Sequence, residues 1–183
     1  MIVLAILLAL AFFAIAVTLS SLVASITVRA KKKPNTLPAF FAQMLFIATA
    51  LTAAYIMGDI SILGSLKSPL HYLIAAIGSG IALGILAYGI GKFIDSTCSP
   101  PLNFENPLEM AILLIVLAPI GEELLFRGLI EGYLLENNVG VILSILVPAI
   151  LFGFMHVIAF LKTSVKCTVA VASLALILGL IAG

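Results

Sequence analysis

The stretch from Ala118 to Gly132, APIGEELLFRGLIEG, places Glu122, Glu123, Arg127 and Glu131 within ten residues of an otherwise apolar chain. Five of the eight acidic residues fall on the segment around it, with Glu109 and Glu136 completing the set. The chain has 183 residues, 63% hydrophobic and 9% charged, with a mean hydropathy of +1.33. Soluble domains carry about a quarter charged residues, so this composition describes a polytopic membrane protein. The net charge is +1 and no basic patch interleaves with aromatics. Nothing here suits a nucleic-acid partner; the bilayer itself is the expected surrounding.

Working outward from that stretch, six apolar segments are expected, near residues 2–28, 37–57, 69–94, 107–135, 139–161 and 167–183. Most reach the roughly 18–20 residues that a spanning helix needs. The first has no basic n-region and is too long for a signal h-region, so it reads as a true span. No hydrophilic domain or long linker interrupts the chain. The expectation is an all-α transmembrane bundle of about six spans, with residues 1–183 as one membrane domain. Arg29, Lys31, Lys32 and Lys33 make the first loop cytosolic by the positive-inside rule. Alternation then puts the 92–106 and 162–166 loops inside and the 137–140 turn outside. Asn106-Pro107-Leu108-Glu109 reads as a capped helix start. The turn residues Asn137-Asn138-Val139-Gly140 read as a tight link between two helices. The pairs Gly80/Gly84, Gly128/Gly132 and Gly179/Gly183 suggest close packing within the bundle. Cys98 and Cys167 are isolated and are expected to be free thiols.

Charges at membrane depth cost about 2.5–3.5 kcal/mol each on insertion scales, so they face a bundle interior or a watery cavity. Glu123 and Arg127 are four apart and can pair on one helix face. Two readings stand for them: a structural ion pair, or support for a reactive neighbour. Glu122 points about 100° away, on the face of Phe126. It is expected to be a general base or water activator; the alternative is a carboxyl that stays neutral and only packs.

The fifth segment offers one ionisable side chain, His156. A lone histidine in such a span can be a packing residue, but its position argues otherwise. Glu122 and His156 each lie 17 residues from Val139. In two regular antiparallel helices they share a height ~25 Å below the outer turn, in a core ~30 Å thick. Pro119 and Pro148 are expected to kink the two helices and open room for water.

Two motifs now stand side by side: Glu122-Glu123-Leu124-Leu125-Phe126-Arg127 fits EExxxR, and Phe152-Gly153-Phe154-Met155-His156 fits FxxxH. Together they resemble the CPBP family of CAAX proteases and bacteriocin-processing enzymes, over a core of about residues 107–183. The resemblance implies a larger all-helical membrane bundle and an intramembrane endopeptidase of the CAAX-prenyl-protease type. It implies Glu122 and His156 as the catalytic pair that activates water, with Glu123, Arg127 and Phe152 supporting them. Its substrates would be peptides or lipidated proteins, reached from the cytosolic face of a prokaryotic plasma membrane. A non-catalytic membrane protein of the same fold, such as an immunity or scaffolding factor, is the alternative.

The resemblance also carries a metalloprotease label, which makes a divalent metal possible. The residues argue for none: HExxH is absent, and catalytic zinc normally takes three protein ligands. Glu122 and His156 have no evident third donor, His71 being expected at the far end of the third span. The family's later HxxxN/D motif does not occur after His156. The run ends while still apolar, so a truncated chain of low activity is expected, with a divergent member as the alternative.

Overall fold

The computed structural model describes residues 2–31, 37–57, 108–109, 112–160 and 164–182. The third expected span, the 92–106 loop, most of the 106–109 cap, His71, Gly80/Gly84 and Cys98 lie outside them, as do the basic side chains of the first loop. Apart from short links between helices the described residues are helical, with no strand among them. Helix α1 is Ile2–Lys31 and α2 is Leu37–Ile56. A third helical rod, α3, covers residues 112–136 in four stretches described below. Helix α4 is Val141–Phe160 and α5 is Val165–Ala182. Three stretches are long and apolar enough to cross a membrane: Ile2–Ile26, Pro38–Ile56 and Val141–Ile158. A shorter apolar stretch runs Val165–Ile181.

Small residues set how closely these helices approach. In lipid the hydrophobic effect does not drive helices together, so close van der Waals contact must. On α1 the inward stripe is Ala5, Ala9, Phe13, Ala16 and Ser20, at helical spacing, and on α2 it is Phe46, Ala50 and Ala53. These two helices pack together, and α3 lies against both. Leu125, Leu129, Ile130 and Leu134 of α3 are completely enclosed and form the centre of the core. The large apolar side chains on the outer faces, such as Leu7, Met44, Ile115 and Ile142, are left for the lipid.

The α3–α4 link is the tight turn the sequence predicts, and its chemistry is specific. Asn138 takes a left-handed backbone (φ 56°) just past the helix end. The Val139 N–H reaches the Leu134 carbonyl at 3.1 Å and the Asn138 N–H reaches that of Leu135 at 3.0 Å. That is a Schellman motif, and the buried side chains of Leu134 and Val139 supply its apolar contact. The Asn137 amide caps further back, donating to the Tyr133 carbonyl at 2.9 Å. Gly140 follows at φ 94°, a conformation that suits only glycine well.

Helices α4 and α5 pack through bare backbone. A Cβ built on Gly179 would come within 2.8 Å of Ala149 Cα and 2.9 Å of its Cβ. One on Gly153 would meet the Ala172 carbonyl and Leu176 Cβ, each at 3.3 Å. This is the close packing expected of the glycines here. Cys167, buried at the start of α5, is disulfide-bonded, which corrects the expectation of a free thiol there. Sequence spacing cannot reveal a bridge that depends on approach in space.

Two outcomes follow. Gly179→Leu forces α4 and α5 apart and should lower unfolding stability in detergent by about 1–3 kcal/mol, with Gly153→Ala milder; no change for Gly179→Leu would refute the close approach. In SDS, a mass-tagging maleimide should modify Cys167 only after reductant is added.

Candidate active site

The rod that carries EExxxR is not a plain α-helix. Ile112–Leu117 is π-helical, Ala118–Glu122 is α-helical, Glu123–Glu131 is π-helical again, and Gly132–Glu136 returns to α. The backbone stays in the helical region at each junction. Pro119 sits in the first turn of the short α stretch. It has no N–H to donate, and the change of ladder falls beside it. π-Helix is rare and tends to accompany functional sites. Pro148, by contrast, lies inside α4, which continues past it as an α-helix.

Glu122 closes the short α stretch, half-buried, at the edge of α2. The Gln43 amide of α2 donates from Nε2 to Glu122 Oε1 at 3.4 Å. Gly121, one residue earlier, is buried against the same side chain: a Cβ there would come 2.6 Å from Gln43 Oε1 and 3.0 Å from the Gln43 carbonyl. Gln43 carries no charge, so a sequence reading that pairs ionisable groups passes over it. It is nonetheless a carboxamide in an apolar span, and such groups commonly bond across helices.

Arg127 does not take the partner first expected. Its Nη1 lies 3.3 Å from Glu131 Oε2, with the two side chains 16% and 13% exposed. Glu123, on the exposed side of α3, makes no ion pair among the described residues. The correction has a simple source. Arg127 has a glutamate four residues before it and another four after it, and an α-helical face argument does not choose between them in a π-helical stretch. Arg127 takes the more enclosed of the two.

His156 lies on α4, partly buried. Its Nδ1 is 2.9 Å from the Phe152 carbonyl. A carbonyl only accepts, so Nδ1 carries the proton and Nε2 of the neutral ring presents a lone pair. The imidazole also stands against the Phe152 ring, with centroids 4.7 Å apart at 65°. Phe152 meets Phe126 edge to face at 5.2 Å and 76°, and Phe126 meets Phe13 of α1 at 6.0 Å.

These rings test the height argument. Phe126 and Phe152 are each 13 residues from Val139, and they touch. The equal-spacing register across the Asn137–Gly140 turn therefore holds at that level. Glu122 is one turn beyond Phe126 and His156 one turn beyond Phe152. They are not hydrogen-bonded to each other: Glu122 is held by Gln43, and His156 by its own helix. Among the described residues no three His, Cys, Asp or Glu side chains gather as metal ligands. The described donors, one carboxylate and one imidazole on separate partners, do not fit a divalent metal.

The described residues thus form a helical bundle with apolar stretches long enough to cross a membrane, in which Phe126 and Phe152 join the two helices that carry Glu122 and His156. Residues 104–183 match the model of the family described as Rce1-like, type II CAAX prenyl endopeptidase Rce1-like. That stretch carries both motifs and is what the chain has in common with this family. No curated protein and no solved structure matches the chain.

The revised ion pair has a measurable consequence. In a double-mutant cycle on stability in detergent, Arg127→Met and Glu131→Gln should couple by about 0.5–3 kcal/mol. Arg127→Met with Glu123→Gln should couple more weakly. The reverse order would restore the Glu123–Arg127 pair.

Proposed function

We propose that this protein is an intramembrane endopeptidase of the CAAX-prenyl-protease type, in which Glu122 and His156 activate a water molecule. The observation that carries the reading is the Phe126–Phe152 contact, 5.2 Å between ring centroids. It supports a register in which both groups stand one turn further from the Asn137–Gly140 turn, within the family-matched segment. In this reading a water sits between the carboxylate and His156 Nε2. Glu122 takes one proton as the water oxygen attacks the scissile carbonyl carbon. The imidazole accepts the water's second hydrogen in a hydrogen bond and so orients it. The tetrahedral intermediate then collapses: the C–N bond breaks and Glu122 returns its proton to the leaving amine nitrogen. Glu123, Arg127 and Phe152 support the pair, Arg127 through its bond to Glu131 and Phe152 by bracing the imidazole.

The substrate class is a peptide or lipidated protein in the membrane, cut near the cytosolic face of a prokaryotic plasma membrane. The basic loops favour that side. The bridge at Cys167 favours an oxidising compartment for its end of α5, so sidedness needs its own measurement, by accessibility of introduced cysteines in sealed vesicles.

The decisive experiment uses the full encoded chain in lipid, with prenylated CAAX peptides and a membrane-peptide library. Glu122→Gln and His156→Ala should each reduce cleavage by about 100- to 10,000-fold, the range of general acid–base catalysis. Melting temperatures should stay close to the parent's. Equal cleavage by Glu122→Gln and the parent would remove Glu122 as the base. A parent that cleaves nothing would favour the non-catalytic alternative.

A further inference from the structure

We propose that Gln43 is the positioning residue for Glu122: its amide engages Oε1 of the carboxylate and leaves Oε2 as the oxygen that meets the water. The inference rests on the reading of Glu122 as the base. It goes beyond that reading by bringing in α2, which lies outside the family-matched residues 104–183.

Three observations converge. The first is the bond itself, Gln43 Nε2 to Glu122 Oε1 at 3.4 Å. It is longer than the usual N–H···O mode of about 2.9–3.0 Å, and catalytic contacts commonly tighten only once substrate is bound. The second is Gly121. It leaves open the space that Gln43 Oε1 occupies, since a Cβ would stand 2.6 Å from that atom. Helix α2 therefore touches two successive residues, the backbone of one and the side chain of the next. The third is the other end of the amide. Among the described residues Gln43 Oε1 is buried with no hydrogen-bond partner. A buried acceptor without a donor is destabilising, and an apolar side chain of the same length would avoid it. Packing alone gives no reason for an amide here. Holding a carboxylate does, because a carboxylate only accepts and so draws the NH2 end toward itself.

The chemistry benefits directly. A glutamate has three side-chain torsions, and a base free to rotate spends most of its time out of line. Misplacing a reacting group by about 1 Å can cost on the order of 100-fold in rate. Among the described residues Oε1 of Glu122 has its partner and Oε2 has none. The hold therefore fixes the plane of the carboxylate while leaving one oxygen for proton transfer.

The test is Gln43→Met, which keeps length and loses both polar atoms, with Gln43→Asn, which keeps the amide but shortens its reach. Both are made in the full encoded chain in lipid, beside Glu122→Gln. Infrared difference spectra against Glu122→Gln assign the bands of the Glu122 carboxyl group. Gln43→Met should shift those bands, lower kcat by about 10- to 100-fold, leave KM within about twofold and leave the melting temperature unchanged or higher. Gln43→Asn should behave like Gln43→Met. Unshifted bands overturn the hold whether or not the protein is active. Shifted bands with unchanged kcat overturn its role in positioning. A loss of melting temperature with kcat and KM impaired together assigns Gln43 to packing and overturns the proposal as well. A parent without activity refutes the reading of Glu122 as base, and the infrared arm still decides whether Gln43 holds it.

Discussion

The short turn from Asn137 to Gly140 is the constraint on which the rest depends. It fixes α3 and α4 as antiparallel neighbours in one register. Two backbone hydrogen bonds, one left-handed asparagine and one apolar contact hold it. Slip the register by one residue and Phe126 no longer meets Phe152. Glu122 and His156 each lie four residues beyond that contact on their own helices, counted from a turn that contains no reactive group.

Around that pair the bundle solves two unlike problems. Apolar helices in lipid have little reason to prefer each other, so α1, α2, α4 and α5 approach through alanine, serine and glycine. The α3 rod has the opposite problem, because it brings charges into the same environment. It meets it by pairing Arg127 with Glu131 inside the bundle and by setting Glu122 against an amide. The two π-helical stretches flank Glu122, so the carboxylate that meets Gln43 sits on the short α-helical piece between them.

Much of this was legible in the residues. The spans at Ile2–Ile26, Pro38–Ile56 and Val141–Ile158 follow from apolar length, and the turn follows from Asn-Asn-Val-Gly. Phe126 and Phe152, which touch, are equally distant from Val139. Two short motifs mark the stretch that matches the family model. What could not be read has physical reasons. A π-helix leaves no periodicity distinct enough to see in nine residues. Arg127 is flanked symmetrically by glutamates, and only packing shows which is enclosed. Gln43 carries no charge and lies 79 residues from its partner, so no local pattern joins them. The bridge at Cys167 is likewise a fact of three-dimensional approach.

The link between Gln43 and Glu122 also bears on biogenesis. A chain made from its N-terminus delivers α1 and α2 to the bilayer before α3 has left the ribosome. For that interval Gln43 has no Glu122 carboxylate to accept its hydrogen bond. A neutral amide can wait there at modest cost, where a lysine or arginine serving the same purpose would resist insertion. The chain thus commits an uncharged donor to the membrane first and brings the acids in afterwards, on a rod that enters beside helices already in place. An amide on the helix that meets Glu122 suits that order of insertion better than a cation would.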